Sequence, residues 1–380
     1  MFGLSPLRRN YDAALRDLRA SKPAVRASAA RDLGMVGDVQ PRAAADALAP
    51  LVDDTFSEVR SAALTALGVL RARHLADRVA TRLDDGDSDV RQLAAVALAE
   101  MGGERALELL KQSLESDHAD VRFQCLLGVL SLDAREGFAV AVASLASDDP
   151  WIAAEAAEQV GRLFALDPDH RTENALDDDA RARALAALRA ELDDPSQRVA
   201  VSAAMALARM GDDGVVPLLC DFVRGRRRVE GADTEALTAE ALELLGAVTG
   251  DAAAPAREAL AVVAWRVIPS PERNIARAAL ARLGDPRACD DLIEQLRSLL
   301  PGRREAAVKL VRVARLQGAE GALLSLLDDG GVEPAFVIDA LGAVGGERTR
   351  NTLSRVARTH DKSEIRDAAR RALSRLEATP

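Results

Sequence analysis

Asp84-Asp85-Gly86-Asp87-Ser88-Asp89-Val90-Arg91-Gln92-Leu93-Ala94-Ala95-Val96-Ala97-Leu98 is the stretch whose reading decides the fold. Its Val-Arg and Ala-Leu pairs return upstream as Val59-Arg60 with Ala66-Leu67 and as Val25-Arg26 with Ala29-Ala30, and downstream as Val121-Arg122. The four valines stand 34, 31 and 31 residues apart, which marks a repeat array. A unit this short holds about two helices and cannot bury its apolar face alone, so it has to stack on its neighbours. Function then lies along a surface.

One unit can be read directly. Leu75, Val79 and Leu83 recur every four residues and give a first helix with a single apolar stripe. The Asp84–Ser88 segment makes the turn, because Asp and Ser side chains cap the free amides of the next helix and Gly86 tolerates unusual backbone angles. A second helix is predicted from about Asp89 to Met101, with Ala94, Ala95 and Ala97 permitting close approach and Gly102-Gly103 ending it. The register continues at Ile152, breaks, resumes at Val199, and returns in weaker copies near Thr234, Glu272, Ala306, Glu333 and Ile365. This makes eleven units. A helix over roughly Asn10 to Arg19 is predicted to cap the first of them, so that residues 1–20 form a capping region.

The repeated residues resemble the HEAT-like repeats of the phycobilisome-lyase type. The resemblance implies an all-α fold, an α-solenoid or superhelix of about eleven stacked helical hairpins forming a single elongated domain over residues 1–380. It also implies that second helices line the concave face and that turn aspartates and the arginine after valine bond along the stack. Carried onto this chain, those residues are Asp85, Arg91, Asp117 and Arg122.

Composition agrees with a stack built from small side chains: 48% of residues are hydrophobic but only 3% aromatic. With 50 basic against 60 acidic residues the formal charge is −10, which disfavours attraction to nucleic acid or anionic lipid. The scarcity of lysine beside arginine fits a GC-rich, bacterial genome. Cys125, Cys220 and Cys289 are far apart, each within a helical pattern, and read as free thiols in a reducing compartment. No apolar run reaches the length of a signal peptide or a membrane span, so the expectation is a cytoplasmic protein without membrane insertion.

Three segments interrupt the register. An acidic insertion near residues 167–179 ends in Asp177-Asp178-Asp179, which reads as a helix N-terminus, since the ligand pattern of a calcium loop is missing. Arg224, Arg226, Arg227 and Arg228 crowd one turn and could grip an anion or an acidic partner. Ile268-Pro269-Ser270-Pro271 reads as a rigid linker.

Catalytic patterns are missing from the sequence. HEAT-like deoxyhypusine hydroxylases hold iron through His-Glu pairs, but His74, His118, His170 and His360 are followed by Leu75, Ala119, Arg171 and Asp361. No metal site, cofactor or enzymatic activity is expected. HEAT-like DNA glycosylases need a cationic groove with aromatic residues, which this acidic chain does not offer. The reading is a scaffold that binds a protein or peptide on the concave face. Its site is a strip on the second helices: Gln92, Val96, Phe123, Leu127, Trp151, Glu155, Glu158, Val201 and Met205, with Gln124 beside them. Phe123, Leu127 and Trp151 would be anchors if they reach solvent, and core if they pack against the next helix. The alternative is an accessory or chaperone-like subunit for a cofactor-bearing enzyme, as bilin lyases are.

Overall fold

The computed structural model describes residues 10–37, 40–166, 176–231, 233–268 and 270–378. The acidic segment 167–175, the start of the predicted capping region at 1–9 and Pro269 of the predicted linker lie outside the described residues. The chain divides into two compact units, residues 1–206 and 207–380, where the sequence reading expects one continuous domain.

The first unit contains α1 (Tyr11–Asp17), α2 (Pro23–Val36), α3 (Pro41–Leu48), α4 (Ser57–Val69), α5 (Ala76–Ala80), α6 (Ser88–Met101), α7 (Glu104–Gln112), α8 (Ala119–Leu132), α9 (Ala134–Ser144), α10 (Pro150–Leu163), α11 (Asp178–Ala190) and most of α12 (Gln197–Arg209). The second contains α13 (Val216–Val223), α14 (Thr234–Leu245), α15 (Ala253–Ala264), α16 (Pro271–Arg282), α17 (Pro286–Leu296), α18 (Pro301–Ala314), α19 (Glu320–Asp329), α20 (Pro334–Val344), α21 (Glu347–Thr359) and α22 (Ser363–Ala378). No strand occurs among the described residues. Taken in order the helices form eleven hairpins, and α1 is the first helix of the first pair, not an addition in front of it.

The capping and stop signals act as the sequence predicts, whereas Gly86 takes no left-handed backbone angle in its turn. Asp87 caps α6, its Oδ1 accepting from the amides of Asp89 and Val90 at 3.0 and 3.4 Å. Gly102, at φ 62° and ψ −176°, ends that helix in a conformation essentially confined to glycine, which costs a residue with a Cβ about 1–3 kcal/mol. Asp177 caps α11 through the Ala180 amide at 2.8 Å, in line with the N-terminal reading of that acidic run. First helices are short, and several tighten into 3₁₀ turns: in the third unit α5 is extended at both ends by such turns, over Arg73–Leu75 and Thr81–Asp84.

Second helices pack on one another in succession, α2 on α4, α4 on α6 and α6 on α8, and in the other unit α14 on α16, α16 on α18, α18 on α20 and α20 on α22. Several of the second-helix contacts set a glycine on an alanine. A Cβ added to Gly34 would stand 2.9 Å from the Cβ of Ala66; the corresponding figures are 2.7 Å for Gly161 on Ala206, 2.7 Å for Gly246 on Ala279 and 2.8 Å for Gly342 on Ala372. In each pair the alanine belongs to the recurring Ala-Leu and the glycine sits within the last turn or at the C-cap of the preceding second helix. The Leu of the recurring pair is wholly buried at Leu67, Leu98, Leu207, Leu280 and Leu341 and fills the space beneath, while Leu373 in the last unit is half-buried.

Candidate functional site

A polar seam of arginines runs up the turns of the first unit. Each Arg after a Val donates one Nη1 bond to the carbonyl six residues before it: Arg26 to Ala20, Arg60 to Asp54, Arg91 to Asp85 and Arg122 to Ser116, at 2.8–2.9 Å. The rest of the guanidinium reaches the next hairpin. Arg26 holds Asp54 in a two-point grip at 2.8 and 2.9 Å, Arg60 holds Asp85 at 2.6 Å, Arg91 holds Asp120 at 3.0 Å and Arg122 holds Asp149 at 3.1 Å. These partners are mostly shielded from water, and the arginines are occupied in holding hairpins together.

One member of the expected set is displaced. Asp117 is exposed and Arg91 pairs with Asp120 instead. The reason lies in the turn. At the place Asp85 takes in its own unit the next unit has Ser116, whose hydroxyl accepts from the His118 amide at 3.2 Å but carries no charge, and the carboxylate is supplied from the first turn of α8. The seam changes character in the fifth unit, where Ala153 replaces the arginine. There the guanidinium of Arg198 lies 3.7 Å from the ring centre of Trp151, a cation–π contact between α10 and α12.

The predicted strip divides. Gln92 and Val96 on α6, and Phe123, Gln124 and Leu127 on α8, are half-buried at matching positions of two helices that pack side by side. Trp151, at the start of α10, is 55% exposed although Arg198 covers part of its ring. Glu155 and Glu158 lie further along α10, Glu155 accepting from Gln159 at 2.6 Å and Glu158 pairing with Arg162 at 2.6 Å. Val201 and Met205 do not belong to this surface: both are core residues, 0% and 2% exposed. Gly161 lets α10 settle onto Ala206, the neighbour of Met205.

The arginine-rich turn between α13 and α14 is partly matched from within. Arg226 pairs with Asp221 at 3.1 Å and Arg224 stands 3.8 Å from Glu258, while Arg228 is exposed. Beyond it lies a feature that sequence reading passed over, a cleft of about 740 Å³ in the second unit around Trp265. Arg287 from α17 lies 3.8 Å from the Trp265 ring centre and Arg277 from α16 lies 4.9 Å from it. Arg277 also donates to the Ala264 carbonyl at 3.2 Å and faces Asp291 at 3.4 Å. Burial pushes the Arg277 guanidinium below its ordinary value; Asp291 opposes this, and the charges of Arg273 and Arg287 add to it. A single tryptophan at a helix end gave no signal in the sequence, because the arginines around it come from two other helices.

Among the described residues no group of three or more His, Cys, Asp or Glu could hold a metal ion, and no helix is long and apolar enough to cross a membrane. His74 is engaged with Asp46 at 2.8 Å, His118 and His360 sit at helix ends, and His170 lies outside the described residues.

Stacked short hairpins, small residues at the contacts and an arginine seam define the class as an all-α repeat protein. Residues 45–129 match the family described as HEAT repeats and residues 25–54 match PBS lyase HEAT-like repeat. Within residues 25–129 the repeats are therefore similar to HEAT repeats, including the PBS-lyase-like kind. No curated protein matches the sequence. Among solved structures, the Kap95 chain of a Kap95:Nup1 complex is 12% identical, with a TM-score of 0.54 over 96% of this chain and 61% of that one. The CpcE and CpcF complex of phycocyanin lyase from Nostoc sp. is 16% identical over 100% of this chain and 98% of that one, at a TM-score of 0.30. The chain spans half the length of importin beta, 50%, at 15% identity and a TM-score of 0.38. At these identities the Kap95 likeness shows the fold alone, and the looser overlaps carry no argument.

Proposed function

We propose that this chain is a non-catalytic scaffold that binds a protein or peptide partner on the second-helix face of its first unit. The observation that carries the reading is the position of Phe123 and Leu127. They lie four residues apart on α8, half-open to solvent, whereas Cys125 and Leu126 between them are 0% exposed. Trp151 extends the apolar strip on α10 and Val96 on α6, with Gln92, Gln124, Glu155 and Glu158 as a polar surround. Aromatic and aliphatic side chains set in a polar rim are the usual anchors of a helix or peptide ligand. The arginines of the seam are spent on neighbouring turns and are not counted among the strip's contacts.

The test is affinity capture with the intact chain, identification of any stoichiometric partner, and titration of that partner against Phe123→Ala and Trp151→Ala. Loss of an anchor is expected to weaken binding by roughly 2 kcal/mol. Unchanged affinity in both variants, with lowered thermal stability in Phe123→Ala, would assign these rings to packing and end this reading.

A further inference from the structure

The second unit carries a different surface, and it does not depend on the strip of the first. α15 ends at Ala264, and the turn from Trp265 into α16 exposes Val267 to 94%; the turn from α17 into α18 exposes Leu299 to 95% and Leu300 to 57%. α16 and α18 pack side by side and each opens on a proline, Pro271 and Pro301, so their entry turns lie along one edge of the stack. Aliphatic side chains this open to water are costly to display, and grouped on adjacent turns they mark a contact surface.

The cleft at Trp265 adjoins the first of these turns, since Val267 lines it together with Arg273, Arg277 and Arg287. On a helix Arg287 would ordinarily pair with Asp290 or Asp291, three and four residues on. Its guanidinium lies over Trp265 instead, and among the described residues neither Arg287 nor Arg273 forms an ion pair. Arg273 spends one bond on the Val267 carbonyl, at 3.3 Å, which ties it to the exposed turn. The carboxylates of Asp290, Asp291 and Glu294 border the cleft, with Asp291 committed to Arg277 and Gln295. With Arg277 and Asp291 paired, the cleft keeps Arg266, Arg273 and Arg287 against Asp290 and Glu294, an excess of one positive charge beside aliphatic side chains without a cover.

We infer that this edge of the second unit docks a partner segment combining carboxylates with bulky aliphatic side chains, the carboxylates meeting Arg273 and Arg287 and the aliphatic groups covering Val267, Leu299 and Leu300. The excess of arginine over carboxylate in the lining favours an acidic segment, whose carboxylates meet Arg273 and Arg287 on the side away from Asp290 and Glu294, and the open aliphatic turns select one that is not merely acidic.

The probe is a short fluorescein-labelled peptide of Glu-Glu-Leu-Leu repeats, titrated against the full chain by anisotropy. Trp265 emission is followed in a Trp151→Phe background, and Lys-Lys-Leu-Leu and Glu-Glu-Ser-Ser peptides and inorganic phosphate serve as comparisons. The Glu-Leu peptide is expected to bind saturably, to perturb Trp265, and to weaken with added salt. Both the R273Q/R287Q and V267S/L299S pairs should weaken it by about tenfold or more. Val267 and Leu299 are unpacked, so that pair keeps its fold and the test stands even if the arginine pair unfolds. Equal binding of the Glu-Ser peptide or of phosphate would show a simple anion site and overturn the inference, as would equal binding of the Lys-Leu peptide or Glu-Leu binding untouched by V267S/L299S.

Discussion

Arg91 and Asp120 are joined across two hairpins, Nη2 to Oδ2 at 3.0 Å, while Asp117, three residues nearer the turn, stays in water. Both partners are largely screened from solvent, with side chains 13% and 22% exposed, so the pair keeps more of its strength than a surface bridge. Asp120→Ala is expected to lower unfolding stability by about 1–2 kcal/mol, since it leaves the guanidinium short of a charged acceptor. Asp117→Ala should stay within roughly 0.5 kcal/mol. Denaturant titration of the two variants distinguishes them, and the opposite ranking would mean the seam runs through the turn residue after all.

The glycine–alanine contacts make a second prediction. Gly342→Val and Gly246→Val each put a branched side chain where a Cβ alone would stand 2.8 or 2.7 Å from the facing alanine, within a close-packed layer. Each should cost about 1–3 kcal/mol or more. Gly86, with nothing within 4 Å of its added Cβ, is the control, and Gly86→Ala should be nearly neutral in the same melting experiment.

Acid should loosen the first unit. Burial pushes the Asp54 carboxyl up, but the hydrogen bonds from Arg26 and the Phe56 amide and the charges of Arg26 and Arg60 together bring it below its ordinary value. A carboxylate depressed in the folded state contributes stability that is complete above its unfolded value of about 3.9 and is lost as the pH falls through the folded value. Stability measured at pH 7 and at successively lower pH below about 4 should therefore fall less steeply in Asp54→Asn than in the parent chain, from a lower starting point. Parallel curves would remove Asp54 from the linkage.

The three thiols should differ in reactivity. Burial pushes Cys125 up to about 12 and raises Cys220 and Cys289 as well, yet Cys289 is only half-buried. The thiolate is the reactive form, so at pH 8 a thiol reagent should label Cys289 first and reach Cys125 and Cys220 only on unfolding. Mass spectrometry of the labelled native chain checks this, and early modification of Cys125 would contradict its burial.

Sequence alone determined the hairpins, their number and their register. The period of the Val-Arg and Ala-Leu pairs reports which residues share a helical face, and capping residues such as Asp87 and Asp177 act on amides two or three positions away, so both are local and legible. Tertiary structure decided what each face meets. Phe123 and Val201 hold the same position in their units, but Phe123 is half-buried whereas Val201 is 0% exposed, a difference the shared period does not carry. Arg91 takes its acid from Asp120 because Ser116 leaves the usual place uncharged. The Trp265 cleft assembles from α15, α16 and α17, and no spacing within one repeat encodes it. A periodic pattern fixes orientation about a helix axis, whereas exposure depends on how near the next helix comes, and that distance is set by the size of side chains on both sides of the contact.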